Sequence, residues 1–235
     1  MRAIIFAGGD ATRWGEHLGV PKHLAPVPSG GATIPLLHRT VGQLRHRGVD
    51  DIHAIVDQGD DRYHLDGVTT HQRYPSDTGC SVWLRSMPLW SQDGATLILL
   101  GDWWHSARSA DTLVASAGLG VWLHLCRIGP SQVTGQPYGE DAGVCFWPQQ
   151  HDEFAATIER VHNLALLGQI RRGGSWEIWC SMAGVLDDDL YLPDGMQALG
   201  RRVDLPDDGS GDFDHPWDHE RFLAAFHTGK IDDTP

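Results

Sequence analysis

The chain has 235 residues, 41% hydrophobic and 21% charged, which suits a single soluble globular domain with a sizeable core. A formal net charge of −13 makes a polynucleotide the less expected partner, because such proteins meet phosphates with a basic face, although a local basic groove stays compatible with it. No apolar stretch is long enough to span a bilayer and the opening apolar run is too short for a signal peptide, so no membrane association and a cytoplasmic location are expected.

Ala3–Phe6 is a short apolar run closed by Gly8-Gly9 and predicts a buried first strand. The stretch from Ala7 to Gly31 is rich in glycine and proline, has little periodicity and reads as a long functional loop. Pro35 opens a helix with apolar spacing at Leu36, Leu37, Val41 and Leu44, closed by Gly48. Asp51–Val56 predicts a second strand and Gly67–Thr70 a short third. A helix is predicted over Gly79–Leu89. Ala95–Leu100 is the clearest central strand, and it ends in Gly101-Asp102. Helix over Ser109–Ala117, strands over Gly120–Cys126 and Ala142–Trp147, and an amphipathic helix over Asp152–Leu167 follow. Within Gly168–Gly200, Ser175–Val185 is mixed, with Trp176 and Trp179 spaced like one helical face. Arg201–Leu205 reads as a late strand and Pro216–Phe226 as a terminal helix.

Strands alternating with helical crossovers imply an α/β chain whose mainly parallel sheet carries helices on both faces. Ligands in such sheets sit at the carboxyl ends of the strands. That rule selects the loop after Phe6 and the turn after Leu100. In the first, adjacent small residues let backbone N–H groups surround an anion, Thr12 adds a hydroxyl, and Arg13 and Lys22 add charge suited to a triphosphate. Lysine occurs only at Lys22 and Lys230. The loop is neither the Gly-x-Gly-x-x-Gly fingerprint nor a P-loop, and taken alone it equally describes an ordinary strand-to-helix turn.

A strand followed by Ala7-Gly8-Gly9-x-x-Thr12-Arg13 with Gly15, then Pro21-Lys22-x-Leu24, Pro26-Val27 and Pro35-Leu36-Leu37 resembles the nucleotidyltransferase family. That family includes sugar-1-phosphate nucleotidyltransferases, CTP-dependent cytidylyltransferases and molybdopterin guanylyltransferase-like enzymes. The resemblance implies a three-layer α/β/α, Rossmann-like nucleotide-diphospho-sugar transferase (GT-A-like) fold over residues 1–235. Residues 1–130 would then form a nucleotide-binding half and 131–235 an acceptor-binding half. It implies that Ala7, Gly8, Gly9, Asp10, Ala11, Thr12, Arg13 and Lys22 wrap the nucleoside triphosphate, with Arg13 and Lys22 on its phosphates. Ala11 stands where the family often has glycine. Thr78, Gly79 and Ser81 fall where the family touches base or ribose, although Asp77 or Thr78 equally suits a helix cap.

Gly101-Asp102 places a carboxylate at the sheet's ligand edge, where a hard oxygen donor suits Mg²⁺, or Mn²⁺, but also where a turn aspartate is common. In the resembled family a strand ending this way supplies the metal aspartate. Asp212 and Asp214 alternate with Phe213 before the last helix, similar to a late acidic motif of the family, and Asp214 is the preferred second ligand over Asp212. Capping of that helix by Asp214 or His215 is the competing account.

Trp103 and Trp104 follow Asp102 and suit either core packing or stacking on a ligand. Trp176 and Trp179 carry the same two options, the second as part of an acceptor pocket. Residues 136–141 resemble a loop near the acceptor, and Arg171-Arg172 reads as a solvated turn, with the grip on an acceptor phosphate as the alternative. Four scattered cysteines, with no Cys-x-x-Cys pair, predict buried thiols rather than zinc.

The implied activity is Mg²⁺-dependent transfer of a nucleoside monophosphate from an NTP to a small phosphorylated acceptor, a sugar phosphate or similar, with release of pyrophosphate. Arg13, Lys22 and Asp102 would be catalytic. A sugar-nucleotide-dependent glycosyltransferase of the same fold and a non-catalytic nucleotide-binding module are the alternatives. A homo-oligomer is compatible with the sequence, and neither the base nor the acceptor is specified by it.

Overall fold

The computed structural model describes residues 1–9, 12–15, 17–74, 80–137, 139–170, 172–184 and 201–232. Asp10, Ala11, Asp77, Thr78, Gly79, Tyr138 and Arg171 lie outside the described residues.

A seven-stranded sheet forms the centre. Its strands are β1 (Arg2–Ala7), β4 (Asp51–Asp57), β5 (Thr69–Arg73), β6 (Thr96–Leu100), β8 (Leu123–Arg127), β9 (Glu140–Phe146) and β10 (Arg202–Asp204), in spatial order β10-β8-β9-β6-β1-β4-β5. Every neighbouring pair is parallel except those made by β9, which runs antiparallel to both β6 and β8. The third strand, expected over Gly67–Thr70, overlaps β5 but starts later, since pairing with β4 begins at Thr69 and runs to Arg73.

The period of two along β1 sets the layers. Ala3, Ile5 and Ala7 face one side, where Leu37, Val41 and Leu44 of helix α1 (Leu36–His46) and Leu113 of α3 (Ala107–Ser116) cover them. Ile4 and Phe6 face the other, against Trp83 of α2 (Cys80–Ser86), Phe154, Ile158 and Val161 of α4 (His151–Leu166), and Trp176 and Trp179 of α5 (Ser175–Met182). This is the expected three-layer α/β/α arrangement, a mostly parallel sheet between helices.

A third cluster joins Trp14, Val27, Leu36, Trp104 and Phe213 to Phe222 of the last helix, α6 (Pro216–His227). It ties the segment after β1 to the C-terminal segment, and so brings remote acidic and basic residues together.

The long loop predicted after β1 is interrupted by a hairpin, β2 (Pro26–Ser29) with β3 (Ala32–Pro35). Its two-residue turn is Gly30-Gly31, both at positive φ, as the twist of a tight hairpin requires. The prolines hid it: Pro26 and Pro28 read as loop and Pro35 as the start of a helix, yet a two-stranded ribbon has free edges that tolerate them.

Gly101 is fixed by close approach. Its N–H donates to the Phe6 carbonyl at 2.9 Å, and a Cβ there would lie 2.7 Å from that oxygen and 3.0 Å from Ala7 Cα. Backbone cannot yield as a side chain can. Gly101→Ala is therefore expected to cost about 2 kcal/mol, seen as a melting temperature lower by about 6 °C. It should also slow the reaction by displacing Asp102. An unchanged melting curve would refute the strained contact.

Candidate functional site

The sequence lays the loop after β1 against β4. A Cβ on Gly8 would lie 2.9 Å from Asp57 Oδ1 and 3.2 Å from the Val56 carbonyl carbon, so only glycine allows the approach. Gly9 N–H points at Asp57 Oδ2 across 3.5 Å, while the space around Gly9 is open. Asp57 is itself held by the buried Arg73 guanidinium at 3.0 Å. Asp57 and Arg73 were not singled out in the sequence, although an aspartate ending β4 repeats the signal that marks Asp102 at the end of β6.

Trp14 anchors the following turn. It is buried, its Nε1 donates to the Val20 carbonyl at 2.8 Å, and its ring meets His17 and His219 edge-on. Thr12 and Arg13 just before it stay exposed. Pro21 then leads into a short 3-10 turn, Lys22–Leu24, whose His23 and Leu24 are buried. Burial pushes His23 down to about 4, which leaves the ring neutral beside the charged groups.

On the opposite wall, β7 (Trp103–Trp104) pairs antiparallel with β11 (Gly211–Asp212), Trp103 opposite Asp212. Phe213 N–H donates to the Asp102 carbonyl at 3.0 Å. The two acidic turns are thereby locked side by side.

Four predicted residues meet here. Lys22 Nζ contacts the Asp102 carboxylate and lies 3.2 Å from Asp214 Oδ1, while Arg13 reaches Asp214 Oδ2 at 2.7 Å. Burial works against the Lys22 ammonium, but Asp102 and Asp214, with Asp212 behind them, raise it above the ordinary lysine range. Burial would likewise raise Asp102, and the Lys22 charge holds it below the ordinary carboxylate value. Lys22 and Asp102 are therefore charged at neutral pH.

Asp212 has another role. Burial first, then Glu140, Asp214 and Asp102, push its carboxyl well above the usual range, favouring the neutral acid. It lies against Glu140 rather than Lys22. The acidic residue facing the cations is Asp214. It does not cap α6: the N-cap position is held by His215, whose N–H donates to Asp218 in the first turn at 2.8 Å.

Ser81 lies half-buried on the first turn of α2, and neither it nor Thr12 joins the Lys22 group. Trp103 and Trp104 are fully buried, the latter against Phe222 with the Arg39 guanidinium over its ring, so neither stacks on a ligand. Trp176 and Trp179 pack edge-on in the core, and Trp179 also lines a small apolar cavity with Trp83, Trp122 and Phe154. Glu140 and Asp141 open β9 rather than extending a loop, and Arg172 pairs with Glu177 at 3.2 Å. All four cysteines are buried free thiols, and among the described residues no cluster of three or more His, Cys, Asp or Glu is arranged to hold a metal. Nor is any described helix long and apolar enough to cross a membrane.

The architecture is shared with solved proteins. One from Bacillus anthracis, assigned as a glucose-1-phosphate thymidylyltransferase and solved with sucrose, superposes with a TM-score of 0.60 at 15% identity, over 95% of this chain and 94% of that one. A UTP-bound UGPase from Acinetobacter baumannii gives 0.56 at 10% identity, over 97% and 93%. Rv0371C from Mycobacterium tuberculosis, in complex with manganese, gives 0.53 at 16% identity, over 95% and 97%. At these identities the likeness establishes the GT-A-like fold alone. No curated protein sequence matches the chain significantly. The profile of the MobA-like NTP transferase domain matches residues 3–156, a span that begins in β1 and includes Arg13, Lys22 and Asp102. With that match over most of the chain and the fold it predicts in place, the protein belongs to the MobA-like NTP transferase family and is a nucleotidyltransferase.

Proposed function

We propose that the protein transfers a nucleoside monophosphate from an NTP to a small phosphorylated acceptor and releases pyrophosphate. The observation carrying this reading is the convergence of Asp102 and Asp214 on the Lys22 ammonium, with Arg13 beside them at the mouth of the Gly8-Gly9 loop. Residues 1–130 would hold the nucleotide, with Ala7, Gly8 and Gly9 at the loop's base, and residues 131–235 the acceptor.

The donor set suits a divalent cation. Two carboxylates aimed at one point are hard oxygen ligands, which Mg²⁺ and Mn²⁺ prefer. Asp102 and Asp214 would hold the ion. Bound there, it would supply Lewis-acid charge for the α-phosphate and its attacking and leaving oxygens.

The chain's own groups account for the remainder. An acceptor phosphate oxygen forms a bond to the α-phosphorus while the bond from that phosphorus to the bridging oxygen breaks. Lys22 and Arg13 stabilise the charge leaving on pyrophosphate, Lys22 as a point charge and Arg13 as a planar fork. Positioning and electrostatics do most of this work, and no covalent protein intermediate is needed. A glycosyltransferase would instead free a nucleoside diphosphate from a sugar nucleotide.

The test is a thermal-shift panel of NTPs with Mg²⁺, followed by pyrophosphate release with the best-stabilising nucleotide across sugar phosphates and other phosphorylated acceptors. One nucleotide is expected to raise the melting temperature by several degrees and to yield pyrophosphate with at least one acceptor. Release of nucleoside diphosphate from a sugar nucleotide, with no pyrophosphate from any NTP, would overturn the proposal.

A further inference from the structure

We infer that Arg127 and Glu140 are positioning residues for Asp214, acting through the short segment that leads to it. They are opposite one another at the ends of β8 and β9, and both are buried. Arg127 Nη2 lies 3.0 Å from Glu140 Oε2. From this pair two hydrogen bonds reach the segment ahead of Asp214. Arg127 Nε donates to the Ser210 carbonyl at 3.1 Å, and Glu140 Oε2 accepts the Asp212 N–H at 3.1 Å. One ion pair thus grips a carbonyl and an N–H two residues apart in the same stretch of chain.

The grip is close. A Cβ on Gly211, between the two gripped groups, would lie 2.9 Å from Glu140 Oε2, so the carboxylate sits directly on the strand. β11 is only two residues long, and its pairing with β7 leaves its other side to this contact. Asp214 follows two residues on, at the distance from Arg13 and Lys22 already given. A buried ion pair is weak evidence for stability, because desolvation offsets much of the attraction. Its selective use here is geometric: it fixes where the returning chain delivers the Asp214 carboxylate, as outer contacts orient inner ligands elsewhere.

The inference rests on Asp214 as a site residue, and a double-mutant cycle separates the two claims. Glu140→Gln is expected to lower kcat/KM for the metal–nucleotide about tenfold and to weaken Mn²⁺ binding, followed by electron paramagnetic resonance, to a similar degree. A role in folding alone would lower the melting temperature without changing Mn²⁺ affinity of the folded protein. Asp214→Asn should lower both readouts more strongly. In the Asp214→Asn background the Glu140→Gln change should add little further loss, because its effect passes through the missing carboxylate. Losses that multiply in full would overturn the positioning role. An Asp214→Asn protein with unchanged rate and Mn²⁺ affinity would remove Asp214 from the site and the inference with it. If Glu140→Gln fails to fold, Gly211→Ala pushes on the same carboxylate while keeping the charges. It should weaken Mn²⁺ binding too, and unaltered binding would overturn the inference.

Discussion

Asp102→Asn is expected to reduce kcat by on the order of 10³-fold while the protein remains folded at assay temperature. Asparagine preserves the volume and the position at the end of β6, which Gly101 fixes against β1. What it removes is charge. Asp102 shares the Lys22 ammonium with Asp214, so the ammonium retains one carboxylate after the substitution and is not left buried without a partner. Stability should fall by about 1–3 kcal/mol, well short of unfolding. Mn²⁺ should bind more weakly, since one of two charged oxygen donors becomes a neutral amide. Pyrophosphate release measures the rate, and a Mn²⁺ titration followed by electron paramagnetic resonance measures the affinity. A variant with an unimpaired rate on every productive nucleotide and acceptor pair would remove Asp102 from the chemistry.

The parts of this site that were legible in sequence are those written in local chemistry. Gly8-Gly9, Arg13, Pro21-Lys22 and Gly101-Asp102 each follow a strand or lead into a turn, and each turn is dictated by nearby residues. Of the two late aspartates, Asp214 is the one that reaches Lys22 and Arg13. The cause of that was not readable, since it depends on Glu140 from another strand burying Asp212. Arg127 and Glu140 were invisible as a unit for the same reason: their meeting is set by an antiparallel register with a bulge between Leu125 and Cys126. The tryptophans failed differently. Trp103 next to Asp102 looks like a cleft residue along the chain, but the strand's alternation and the α6 cluster turn both Trp103 and Trp104 inward. The hairpin over Pro26–Pro35 is hidden in the sequence because its prolines read as breakers, whereas a two-stranded ribbon has free edges that accept them. The fold class survived these errors because it rests on β1, β4 and β6, whose apolar runs are buried on both faces.

Lys22→Ala is expected to separate stability from turnover, through the two carboxylates that share its ammonium. Removing the cation leaves Asp102 and Asp214 facing one another with little solvent to screen them. Without added metal the variant should lose about 2–3 kcal/mol, a melting temperature lower by roughly 6–9 °C. Mn²⁺ should then restore more stability than it gives the wild type, because the ion no longer competes with an ammonium for the same oxygens. Turnover should behave otherwise. With nucleotide and Mn²⁺ saturating, kcat should stay about 100-fold low, since no charge replaces Lys22 on the departing pyrophosphate. The two measurements are melting curves with and without Mn²⁺, and pyrophosphate release at saturation. If Mn²⁺ stabilises the variant no more than the wild type, the ammonium and the metal do not share a place. If kcat recovers with Mn²⁺ while stability does, Lys22 serves only to neutralise the acidic pair, and the work on the leaving group passes to Arg13 alone.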